Sequence, residues 1–91
     1  MRTRILIYGK VQGVFFRVYV QRKAQSLGIR GWVKNRNDGS VEIVADSSED
    51  KIKKLIQWCK NEGSPSSNVQ LLKTEEIKNY REKLSGFEIK I

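Results

Sequence analysis

The nine residues Gly9-Lys10-Val11-Gln12-Gly13-Val14-Phe15-Phe16-Arg17 join an apolar strand-like run, Ile5-Leu6-Ile7-Tyr8, to a helix-like run from Val18 to Leu27. This strand–loop–helix junction commits the chain to both element types. It also carries an unusual set of side chains. Two glycines stand four apart, no acid lies between them, and an arginine follows where the helix should begin. Backbone N–H groups at a helix start attract oxyanions. Arg17 is locally unfavourable there, because the positive end of the helix dipole repels cations. An anion held between Arg17 and the loop amides would remove that conflict. Gly9 and Gly13 would let the backbone curl around it.

The rest of the chain can be ordered around this junction. Thr3 to Tyr8 reads as a strand. Phe16, Val20, Ala24 and Leu27 fall on one helical face, and Gly28 supplies a stop. Arg30–Arg36 and Ser40–Asp46 read as strands joined through Asn37-Asp38-Gly39, a strong hairpin signal. Ser47 or Ser48 can cap a second helix, with Glu49 and Asp50 in its first turn. Ile52, Leu55, Ile56 and Cys59 form its core-facing stripe, and Gly63-Ser64-Pro65 ends it. Asn68 to Glu75 reads as another strand, and Glu76 to Ser85 is open between a loop and a short helical turn. Phe87, Ile89 and Ile91 alternate with polar residues in a closing strand. The order βαββαβ plus a closing strand predicts an α+β, ferredoxin-like fold: an antiparallel sheet with two helices on one face.

Composition narrows the chemistry. With 91 residues, one small domain over residues 1–91 is expected. Nothing resembles a secretory signal, and no apolar run approaches the roughly 20 residues that cross a bilayer. A cytoplasmic protein with no membrane partner, a monomer, is expected. There is no histidine and one cysteine, which excludes an internal disulfide, a Cys/His zinc site and any histidine-based triad. Cys59 lies on the apolar stripe of the second helix and reads as a small buried residue. The net charge of +8 favours anionic partners, but the lysines are spread along the chain and mostly describe a solvated surface.

Two motifs resemble those of the acylphosphatases. The family signature G-x-V-Q-G-V-x-F-R matches Gly9 to Arg17, and G-W-V-x-N-x-x-D-G-x-V-E matches Gly31 to Glu42. Weaker echoes are Ala24 with Leu27-Gly28, Trp58, Gly63-x-Pro65 and Phe87-x-Ile89. The chain departs from the pattern at Phe15, where the family often has glycine, and at Gly63-Ser64-Pro65-Ser66, in place of a Gly-Pro-Pro-like segment. The resemblance implies hydrolysis of carboxyl phosphates to carboxylate and inorganic phosphate. By position it implies that Arg17 binds the phosphoryl group and Asn35 orients the attacking water. The loop residues Gln12, Gly13, Val14, Phe15, Phe16 and Arg17 would supply backbone amides to the phosphate oxygens. Neither a metal nor another cofactor is implied.

The residue types suit that chemistry. Arginine grips a phosphoryl group through two parallel donors and stays charged at any working pH. Asparagine can both accept from and donate to a water, but it is no base. With no histidine and no acid in the loop, the substrate's own phosphate is the expected proton acceptor. Taken by spacing alone, Asn35 could instead serve the neighbouring turn. Asp38-Gly39 reads as structural, and Trp32 and Trp58 as core or half-buried packing. Two other functions compete. An RNA-binding module shares the element order, but needs aromatics on the two central strands, where only Tyr8 is available. A binding-only domain of this fold is the other; the presence of both Arg17 and Asn35 argues against it.

Overall fold

The computed structural model describes all residues from Met1 to Ile91. Seven elements succeed one another: β1 (Arg2–Lys10), α1 (Phe16–Ser26), β2 (Arg30–Asn35), β3 (Val41–Asp46), α2 (Glu49–Asn61), β4 (Asn68–Ile77) and β5 (Phe87–Lys90). The strands form one sheet in the order β4-β1-β3-β2-β5.

Alternation along the strands divides the sheet into two faces. Ile5 and Ile7 of β1, Val33 of β2, and Val41, Ile43 and Ala45 of β3 are all buried. They share one core cluster with Phe16, Val20 and Ala24 of α1 and with Ile52, Leu55 and Cys59 of α2. Both helices therefore cover the same face, as the element order predicts. The opposite face is closed by polar chemistry. Arg4 bridges Glu42 at 2.9 Å and Glu75 at 2.8 Å. Lys90 lies over the Trp32 ring at 4.5 Å, and Trp32 pairs across from Val44, which is only 4% exposed.

Pairing is antiparallel for β1·β3, β1·β4 and β2·β3, but β5 joins β2 in parallel. The sheet is thus mixed, where an antiparallel one was expected. The connection explains it: residues 78–86 carry the chain along one end of the sheet from the β4 edge to the opposite edge, so β5 runs back against the direction of β4 and therefore alongside β2. These residues form no helical turn. They are held by Arg2, whose buried guanidinium donates to the Glu82 carbonyl at 2.7 Å, meets Asp46 at 3.3 Å and lies 3.9 Å from the centre of the Tyr80 ring. As a result β1, β2 and β5 all point the same way, and their C-terminal ends meet at one end of the sheet.

The helix boundaries have local causes. Ser48 caps α2 by accepting from the Lys51 amide at 3.4 Å, with Glu49 and Asp50 in the first turn and Lys60 in the last. α1 has no such cap: it starts from Phe15 in left-handed backbone, with no acid in its first turn.

Candidate active site

The loop between β1 and α1 is built on an unpaired stretch of backbone. β1 runs on through Gly9 to Lys10, with a bulge against β4 at Tyr8/Gly9. A Cβ on Gly9 would lie 2.2 Å from the Asn68 carbonyl oxygen. Gly9 therefore serves the close approach of β1 and β4, not the curl of the loop expected for it. Gly13, at φ 74° and in open space, is the glycine that turns the loop. Beyond it, the amides of Gln12 to Val18 donate to no protein acceptor. Seven successive backbone donors stand free where the first turn of α1 adds its positive dipole.

Gln12 fixes this loop to the neighbouring hairpin. Its side-chain amide donates to the carbonyls of Arg36 at 2.8 Å and of Ser40 at 2.9 Å. The turn that receives it is itself tied: Arg36 N–H donates to the Ser40 carbonyl at 2.8 Å, and Asp38 accepts from the amide and the hydroxyl of Ser40. The Ser40 hydroxyl, then its amide, hold the Asp38 carboxyl below its ordinary pKa. Asp38-Gly39 is structural, as its place in the sequence predicts.

Arg17 is the second residue of α1. Its guanidinium makes one protein hydrogen bond, from Nη1 to the Lys90 carbonyl at 3.0 Å. That bond aims the arginine along the ends of the strands. Gln21 adds a second link from the helix to β5, donating to the Phe87 carbonyl at 2.9 Å.

Asn35 is the last residue of β2, paired with Val41. Its side chain takes no part in the turn. Its Oδ1 is buried and has no hydrogen-bond partner. An orphaned acceptor of this kind costs free energy unless something fills it.

These residues meet around one cleft of about 330 Å³, lined by Gly13, Phe15, Phe16, Arg17 and Asn35 and walled by Val11, Val18 and Ile89. Of the sequence-predicted loop residues, Gly13, Phe15, Phe16 and Arg17 line it; Gln12 supports it from behind and Val14 faces the other side of the loop. Phe16 also belongs to the core, 1% exposed and 6.4 Å from Trp58, ring centre to ring centre. Arg17 is the only charged residue in the lining. A fixed cation, free amides and one unpaired side-chain carbonyl can bind an oxyanion and a water side by side. The contribution of β5 was not readable beforehand, because a carbonyl that accepts from Arg17 leaves no mark in side-chain pattern. Gln12 stood inside the motif, but nothing in its spacing announced a staple to a turn 24 residues away.

The acylphosphatase family model matches residues 3–89. The chain belongs to the acylphosphatase family. An acylphosphatase from Aeropyrum pernix is 43% identical over 91 residues, covering 99% of this chain and 88% of that protein. One from Pelotomaculum thermopropionicum is 39% identical over 97% of this chain and 94% of its own length. The crystal structure of acylphosphatase from Bacillus subtilis, 40% identical, superimposes with a TM-score of 0.92 and covers 99% of this chain and 98% of that one. The protein is an acylphosphatase enzyme, and its reaction is the hydrolysis of acyl phosphates with release of phosphate. No helix is long and apolar enough to cross a membrane.

Cys59 takes no part. It is 1% exposed on α2, and burial pushes its thiol up to about 12. A thiol held protonated in the core is not a nucleophile.

Proposed function

We propose that Arg17 and the amides from Gln12 to Arg17 hold the phosphoryl group, that Asn35 positions the water, and that the substrate's own phosphate takes the water's proton. The observation that carries this reading is the coincidence, around a single cleft, of a loop with seven successive unpartnered amides, five of whose residues line it, a guanidinium and an orphaned Asn35 oxygen.

The steps follow from that arrangement. The phosphoryl oxygens occupy the amide cradle, where donors are fixed before the substrate arrives and need no reorganisation. Two of the remaining guanidinium donors grip two of the oxygens. Asn35 Oδ1 accepts from a water and its Nδ2 is free to orient the same molecule. The water oxygen forms a bond to phosphorus as the bond from phosphorus to the acyl oxygen breaks. The electron pair leaves on the carboxylate, and the water's proton passes to a phosphoryl oxygen. No acid or base of the protein lines the cleft, and the reaction needs neither, because a carboxylate is a good leaving group. Charge spreads over the equatorial oxygens in the transition state, which is where the arginine and amides act. This reading assigns no role to a metal or other cofactor.

An assay of benzoyl phosphate hydrolysis with a chelator present tests these roles. Turnover should persist in the wild type. Arg17→Ala should lower kcat/KM by about 10³-fold or more, and Asn35→Ala should lower kcat by about 10²-fold with a smaller change in KM. Reversible loss of activity to the chelator, or an Asn35→Ala enzyme with normal kcat, would sink the scheme.

A further inference from the structure

Phe15 breaks two local rules at once. Its backbone stands at φ 59° and ψ 22°, and it is the one non-glycine residue with positive φ. Its side chain is 75% exposed. Left-handed backbone strains a bulky residue, and an open phenyl ring forgoes burial. No second aromatic ring pairs with it. Strain kept at a site that the rest of the fold over-determines is a recurrent mark of function.

The ring stands on a ridge between two clefts. On one side is the cleft of Arg17 and Asn35. On the other is a second one of about 410 Å³, which includes Val14, Tyr19 and Pro65. Gly13 and Phe15 are the residues the two clefts share. An acyl group is bonded to the phosphate, so it must lie within a few bond lengths of Arg17. Apart from Arg17 and Asn35, the side chains lining the first cleft are apolar, and Lys10 lies in the second. Among the residues lining the cleft, Phe15 is the only large apolar one that stands exposed.

We propose that Phe15 is the acyl-group platform of this enzyme, against which a flat aromatic acyl group stacks, so that aryl acyl phosphates are preferred over short alkyl ones. This rests on the phosphoryl group lying at Arg17, as in the proposed function. An aromatic group gains from the ring in two ways, by covering exposed apolar area and by the favourable geometry of offset or edge-to-face pairs. A two-carbon acyl group is too short to cover the ring and gains little. The strained backbone has a purpose here, because it lifts the side chain out of the loop and leaves the amides behind it free.

The test compares kcat/KM for benzoyl phosphate and acetyl phosphate in the wild type, Phe15→Gly and Phe15→Asn. Glycine and asparagine both accept left-handed backbone, so each removes the ring from a loop that can keep its path. The benzoyl-to-acetyl ratio should fall by about five- to tenfold in both variants, carried mainly by KM for benzoyl phosphate. Equal losses on both substrates, or a ratio within about twofold of the wild type, would overturn the proposal and leave Phe15 as loop scaffold. Wild-type protein that cleaves neither substrate would bring down the proposed function and this inference with it. Cleavage of both, with an unmoved ratio, would remove the inference alone.

Discussion

A cation at the second position of a helix, with no acid in the first turn and no capping side chain, is a residue in the wrong place by local rules. Arg17 is held there by the Lys90 carbonyl, which offsets part of the cost, and by nothing of opposite charge. Asn35 shows the same signature in another form: a buried oxygen with no donor. In the proposed function each has a ligand, the first an anion and the second a water. Gln12 is different. Its two bonds tie the β1–α1 loop to the hairpin turn that follows Asn35. Gln12→Leu keeps the volume and removes both donors, leaving each carbonyl only its backbone bond inside the turn, from Arg36 N–H to Ser40 and from Gly39 N–H to Arg36. It should cost about 1–3 kcal/mol in stability by urea unfolding. It should also lower kcat for acyl phosphates by at least about tenfold under conditions where the protein is folded. A variant that loses stability but keeps full kcat would show that the staple serves the fold alone.

At the scale of elements, the site depends on three strands that end together. Two of them, β1 and β2, were legible in the sequence, and so were both helices. The stripe of α2, its cap at Ser48 and its acids in the first turn agree with one another, so no tertiary information was needed to place it. The direction of β5 was not legible, because alternation of Phe87 and Ile89 says which face is buried and nothing about the neighbour. The segment that delivers β5 was ambiguous for a related reason. It is polar, and its order comes from one distant side chain, Arg2, which the sequence gives no reason to bury. Arg2→Ala should release residues 78–86, with a stability loss of about 3 kcal/mol from the broken buried pair. Limited proteolysis should then cut faster between Lys78 and Lys83 than in the wild type, where Arg2 tethers this exposed segment. Unchanged proteolysis would mean that this crossover is held by other contacts. Gly9 marks the opposite error. It looked like part of the loop because it opens the motif, yet its work is at the bulge, where Asn68 leaves no room for a Cβ.

Over the whole molecule, the burial of Cys59 ties stability to pH. Its thiol titrates near 9.0 in the unfolded chain and is pushed up to about 12 in the fold. The sign follows from the raised value. The folded state prefers the protonated thiol, so this contribution is complete below pH 9.0 and is lost as pH rises towards about 12. The thermal midpoint of the wild type should therefore fall relative to that of Cys59→Ala across that interval, while below it the two should differ by a pH-independent amount. At pH 8 a thiol reagent should label the wild type only after unfolding; rapid labelling of the native protein would refute the buried assignment. The charge of +8 works at the same scale. It is spread over the surface, so it draws anions towards the protein without choosing where they bind. In the proposed function the choice is made by the cleft, which joins one arginine to a row of free amides.

Phosphate titration followed on the backbone amides by ¹⁵N NMR tests that claim most directly. Saturable shifts should concentrate in Gln12 to Val18, with Asn35 following, and should vanish in Arg17→Ala. Shifts scattered over the lysine-rich surface, or an unaltered pattern in Arg17→Ala, would contradict the account of the loop as the seat of the phosphoryl group.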